Sequence, residues 1–178
     1  GRPNRIRVTD LVEEVEEQAW VRDQISVDAE DVGDPVPCAV VAVANGPGIR
    51  DIFRSLGVRR VVAGGQSMNP STADLLAAVE AVPADDVVVL PNNGNVVAAA
   101  EQVDAQSDKN VRVVPTRGIT EGFASLLEYD PQSTAEDNRK TMAAAAEAVV
   151  AGEVTVAVRD SGSDVGDIAE GDHLGLTG

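Results

Sequence analysis

Sulfur, aromatic rings and imidazole are nearly absent from this chain. Its 178 residues hold one cysteine (Cys38), one histidine (His173), one tryptophan, one tyrosine and two phenylalanines. A lone cysteine cannot close a disulfide within the chain, and Cys38, at the head of an apolar run, reads as a small buried hydrophobe. His173 reads as a surface residue of a C-terminal strand, so neither a Cys/His metal cage nor a Ser-His-Asp triad can be assembled. Ser67, without a base to activate it, is a turn hydroxyl or a helix cap. No catalytic residue and no metal ligand is therefore expected. Positive charge is scarce as well: 14 Lys and Arg stand against 30 Asp and Glu, a formal net charge of -16. That balance excludes surfaces built to neutralise nucleic acid or anionic lipid. No apolar run approaches the roughly 20 residues that span a bilayer, and residues 1–20 lack a signal-peptide pattern, so membrane insertion is not expected and a cytoplasmic home is. The stretch "GPGIRD" lacks the third glycine of a dinucleotide fingerprint, and no phosphate loop with its lysine is present.

What the chain does have is short aliphatic side chains. Hydrophobic residues make up 43%, with only 2% aromatic, a composition suited to helices packed on a buried sheet. Residues 10–24 read as a helix with Asp10 as cap and Leu11, Val12, Val15 and Ala19 near one face, covered or docked through Trp20. The acids Glu13, Glu14, Glu16, Glu17, Asp28, Glu30, Asp31 and Asp34 make its solvated face and the linker "SVDAEDVGDPVP" that follows. Residues 1–35 are thus read as a linker helix and acidic linker from a preceding domain, and 36–178 as an α/β domain. An opening "GRPNRIRVTD" without an initiator Met fits an excised piece of a larger protein.

From Val36 onward one pattern recurs: a short Val/Ala-rich strand, a polar Gly/Asn/Pro turn, then a segment of helical period. The strand runs are "CAVVAVA" (38–44), "RRVVAG" (59–64), "DVVVL" (86–90) and "NVRVVP" (110–115). Unbroken apolar strands separated by helices predict an open, mainly parallel sheet with helices on both faces and right-handed crossovers. Pro47 and Gly57 bracket a helix lined by Ile49, Ile52, Phe53 and Leu56. Ser71 with Asp74 predicts a capping box, and Thr134 caps a long Ala-rich helix expected to close at Gly152. The tail changes period. "EVTVAVRD" and "HLGLTG" predict a C-terminal antiparallel ribbon joined by a long turn, covering a sheet edge or docking on a neighbouring module.

In such sheets ligands sit outside the carboxyl ends of the strands. The loops "NGPG", "GGQSMNPS", "PNNGN" and "PTRGITEG" place Asn45, Gly64, Gly65, Gln66, Ser67, Asn69, Asn92, Asn93, Asn95, Thr116 and Arg117 along one edge. Two readings stand. The loops form a polar site whose helix-start amides and Arg117 hold a phosphate, a carboxylate or a protein, or Asn and Gly are there because tight turns need them.

The motifs "GGQSMNPSTADLLAAVEAV", "VVVLPNNGNVVAAAEQV", "VRVVPTRGITEGFASLLEYDP" and "GEVTVAVRDS" resemble the C-terminal region of the fatty acid kinase A subunit family, also called dihydroxyacetone-kinase-like or DAK phosphatase-like, over residues 36–178. The resemblance implies a bacterial cytosolic multidomain protein whose ATP- and magnesium-binding domain lies elsewhere, so no cofactor is expected in this chain. It further implies a separate DegV-type fatty-acid-binding subunit that carries the acyl chain to be phosphorylated, engaged through this region. It makes this chain the first lobe of that region, and Gly64, Gly65, Gln66, Asn69, Pro70, Asn92 and Asn93 match its motifs without an assigned catalytic role. The expected function is a non-catalytic domain docking that fatty-acid carrier. The alternatives are a small-molecule site at the loop edge and a homodimerisation scaffold built on the Ala-rich face from Met142 to Val150.

Overall fold

The computed structural model describes residues 33–64, 69–163 and 166–177. The expected helix over 10–24, with Trp20, lies outside the described residues. Four parallel strands make the centre: β1 (Cys38–Val43), β2 (Val58–Val62), β3 (Asp86–Leu90) and β4 (Asn110–Val113), in the order β2-β1-β3-β4. Among the described residues five helices accompany them: α1 (Pro47–Ser55), α2 (Thr72–Ala81), α3 (Val97–Asp104), α4 (Ile119–Leu127) and α5 (Ala135–Glu147).

Every residue of β1 is buried because the helices cover both faces of the sheet. Alternate β1 side chains serve opposite faces. Ala39, Val41 and Val43 pack with Leu75 and Val79 of α2 and with Ala100 and Val103 of α3. Cys38, Val40 and Ala42 pack with Phe53 of α1, Leu126 of α4 and Met142 of α5. Both phenylalanines fall on this second face, Phe53 meeting Phe123 edge-on with centroids 4.9 Å apart. Each fully buried valine or leucine contributes about 2 kcal/mol through lost contact with water.

Local signals set the helix ends. Ser71 and Asp74 form the reciprocal capping box, and the Thr134 hydroxyl accepts from the Asp137 amide. Pro47 stands in the first turn of α1, and Gly57 just past its end takes φ 96°, a left-handed angle that glycine adopts without penalty. Two ends are held from other elements. Lys109 Nζ donates to the carbonyls of Val79 (2.9 Å) and Val82 (2.6 Å), a positive charge at the negative end of α2. Asp86 Oδ2 accepts from Ala135 N at 2.6 Å, so β3 fixes where α5 begins.

Several details differ from the sequence expectations. Ile52 is exposed and does not line the inward face of α1. Helix α5 stops at Glu147, because the β-branched pair Val149-Val150 leaves the helix, and Gly152 opens a strand instead. Met142 is fully buried against the sheet, so it cannot belong to an outward Ala-rich face. In the tail, β5 (Gly152–Val156) pairs antiparallel with β8 (His173–Thr177), as the ribbon reading predicts. Within the expected long turn lies a further small hairpin, β6 (Ser161–Ser163) with β7 (Gly166–Ile168). The ribbon strands pair with each other and not with an edge of the four-stranded sheet.

Candidate recognition edge

The strand order reverses beside β1: β2 lies on one side of it and β3 on the other. The loops leaving β1 and β3 therefore diverge to opposite faces, and the crevice between them is where an open α/β sheet holds a ligand. Asn92 occupies that crevice. The residue is 2% exposed, its backbone sits at φ 53°, and its Nδ2 donates to Val43 O, the last carbonyl of β1, at 2.9 Å. Its Oδ1 accepts from Thr116 Oγ1 at 2.8 Å, and Thr116 Oγ1 accepts from Asn92 N at 3.0 Å. One amide thus ties β1, the loop after β3 and the loop after β4 together at the crevice. Asparagine suits the position because it tolerates the left-handed region while its side chain hydrogen-bonds.

Gly122 of α4 completes this packing. A Cβ built on it would collide with Oδ1, Cγ and Nδ2 of Asn92, so the helix approaches the amide at a distance only glycine permits. Neither Gly122 nor Glu121 is among the edge residues that the loop motifs single out. A glycine inside the helical run "ITEGFASLL" is the signal that marks such an approach.

The other edge residues sort by what they touch. Asn45 Oδ1 accepts from Gly64 N at 3.1 Å, joining the loops after β1 and β2. Asn93 Oδ1 accepts from Asn95 N at 2.9 Å, an Asx turn that leaves Asn95 exposed. Asn69 is exposed, with its N donating to Gly64 O at 3.2 Å. Gly65, Gln66 and Ser67 lie outside the described residues. Arg117 is exposed at the β4 end, and its backbone N donates to Glu121 Oε2 at 2.6 Å. The structure joins Asn45 with Gly64, Asn92 with Thr116 and Asn93 with Asn95, while Arg117 stands apart beside a cleft.

That cleft has a volume of about 570 Å³ and lies between the start of α4 and the end of α5. Its apolar wall comes from Ala143, Ala146, Val149 and Ala151, and its charged rim from Arg117, Glu121 and Glu147. The loop "PTRGITEG" supplies one wall, Pro115 to Glu121, whereas no motif points to the other, which comes from ordinary alanine-rich helix and the residues after it.

Cys38 lies at the opposite, N-terminal end of the sheet. Burial pushes its thiol up to about 11, so it is no nucleophile at neutral pH. Tyr129 OH donates to Cys38 O at 2.7 Å, and burial raises that phenol to about 12.

Comparison with known proteins bears on what the edge serves. The FakA-like C-terminal family model, which describes the C-terminal part of proteins like the A component of fatty acid kinase, matches residues 39–178. Protein YloV of Bacillus subtilis is 44% identical over 140 residues, covering 79% of this chain and 25% of YloV. An uncharacterized protein of Staphylococcus haemolyticus is 37% identical over 150 residues, 84% of this chain and 27% of its own. One from Staphylococcus aureus is 36% identical over 143 residues, 80% of this chain and 26% of its own. The chain spans about a quarter of the length of these curated relatives.

Proposed function

The chain belongs to the FakA-like C-terminal family of fatty-acid-kinase-type proteins, and on that premise we propose that it is a non-catalytic docking domain. Its partner is a DegV-type fatty-acid-binding subunit, held so that an ATP domain elsewhere in the whole protein phosphorylates the bound acid. The observation that carries this reading is Asn92. The crevice where this sheet type takes a small ligand is bridged by an amide that, among the described residues, hydrogen-bonds to Val43 of β1 and to Thr116 after β4. Loops so committed make a rigid platform, and the groups they leave exposed, Asn69, Asn95 and Arg117, are suited to contact with another protein.

Glu121, the carboxylate beside Arg117, accepts from the Arg117 backbone amide. In this reading the phosphoryl chemistry is carried by the ATP domain of the whole protein, and no step of it is assigned to residues of this chain.

Calorimetric titration of the purified chain with its cognate fatty-acid-binding subunit tests the reading. A saturable heat with one-to-one stoichiometry at tens of micromolar is expected. No heat, while the whole protein binds the same partner, would refute it.

A further inference from the structure

Strand β5 turns valines outward. Val154 and Val156, two positions apart and so on one face of the ribbon, are 78% and 48% exposed. Opposite them in register stand Gly175 and His173, and a Cβ on Gly175 would meet nothing within 4 Å, so this face is open. Val150 and Val158, 83% and 86% exposed, extend the apolar run before and after the strand. Single exposed apolar side chains are ordinary, whereas a contiguous strip of them marks a surface meant to be covered.

The strip leads into the cleft described above. Val149 and Ala151 line the cleft, and the next residue, Gly152, opens β5. An apolar cleft beside an apolar strip offers a pocket for anchoring side chains and a flat area around it.

Charge selects the occupant. Glu121, Glu147 and Arg117 border the cleft, and Asp160, Asp167, Glu170 and Asp172 are exposed along the tail with Arg159, so six acids face two arginines. A two-fold contact with a second copy would set this acidic patch against itself, in a chain of net charge -16. An anionic lipid surface is opposed in the same way. We infer that the valine face of the ribbon and the adjoining cleft form one docking surface for a protein whose contact patch is apolar at its centre and rich in Lys and Arg at its rim. This rests on the docking function above, whose fatty-acid-binding subunit is the partner to test.

Glu147 supplies a readout that a structural role would not. It is the last residue of α5, where a negative charge opposes the helix dipole, so Glu147→Lys is expected to raise the melting temperature. At a docking surface the same change slows association and flattens its salt dependence.

In the experiment the wild-type chain, the Val154→Asp/Val158→Asp pair, Glu147→Lys and Leu127→Asp are each titrated with the fatty-acid-binding subunit. Leu127 is exposed at the end of α4 remote from the cleft and serves as the control. Expected are about tenfold or greater weakening for the valine pair with an unchanged melting temperature, slower association for Glu147→Lys in a more stable fold, and no change for Leu127→Asp. Wild-type affinity in the valine pair would overturn this surface while leaving the docking function standing. Silence of the wild-type chain would remove the docking function and this surface with it. Concentration-dependent dimers of the wild-type chain, abolished in the valine pair, would assign the face to a second copy and overturn the basic-rimmed partner.

Discussion

Asn92 shows how much one side chain can carry in a fold with few polar groups inside. Replacing it with alanine takes the side-chain donor from the Val43 carbonyl and the acceptor from the Thr116 hydroxyl, which keeps only the backbone Asn92 N–H, and puts at φ 53° a residue that disfavours the left-handed region. A loss of about 3 kcal/mol in unfolding free energy is expected, since each buried group left unsatisfied costs about 1–3 kcal/mol. Gly122→Ala is expected to be destabilising by itself and nearly harmless when Asn92 is already alanine, because its Cβ then has room. Urea unfolding of the two single variants and the double closes this cycle, and simple additivity would refute the contact. The amide-rich character of the edge was legible in the sequence. The direction in which each amide points was not: it depends on partners 24 and 49 positions away, Thr116 and Val43. Ser71 lay at the other extreme, since its partner Asp74 is three positions on and the pairing is local.

At the level of elements, a second carboxylate besides Asp86 ties α5 to the sheet. Glu136 accepts from Arg139 Nη2 at 2.8 Å within the helix and from Arg112 Nε of β4 at 3.0 Å. These bonds, Arg139 first and then Arg112, draw the Glu136 carboxyl down from 4.5 to about 2. The folded state therefore binds this proton less readily than the unfolded chain. The associated stability is present in full above pH 4.5 and is lost as pH falls toward about 2. Glu136→Gln is accordingly expected to be less stable than wild type at neutral pH, with the difference shrinking across that window; thermal melts from neutral to acid pH check it, and a difference independent of pH would count against the ion pairs. The order of strands and helices along the chain, and the caps at Ser71 and Thr134, could be read from period and turn chemistry. The end of α5 and the β6–β7 hairpin could not. The first is decided by two valines that are neutral in composition, and the second by a Gly-rich stretch whose pairing leaves no apolar alternation to detect.

Taken whole, the molecule joins a sheet covered on both faces to a ribbon whose valines face outward. A two-stranded ribbon is marginal in water unless something packs on it. Amide hydrogen exchange is expected to be slowest in β1 and β3 and faster by orders of magnitude in β5 and β8, and a chain ending at Ala151 is expected to keep the cooperative unfolding of the four-stranded sheet. Equal protection throughout, or loss of cooperativity on truncation, would show instead that the ribbon is part of the core. The central place of β1 carries one more consequence, for biosynthesis. Cys38–Val43 is made before either of its neighbours, and its second neighbour, Asp86–Leu90, follows more than forty residues later. At ordinary elongation rates that delay is on the order of several seconds. During translation the most apolar strand of the domain waits with an open edge, and this nascent interval is when the chain most needs a chaperone.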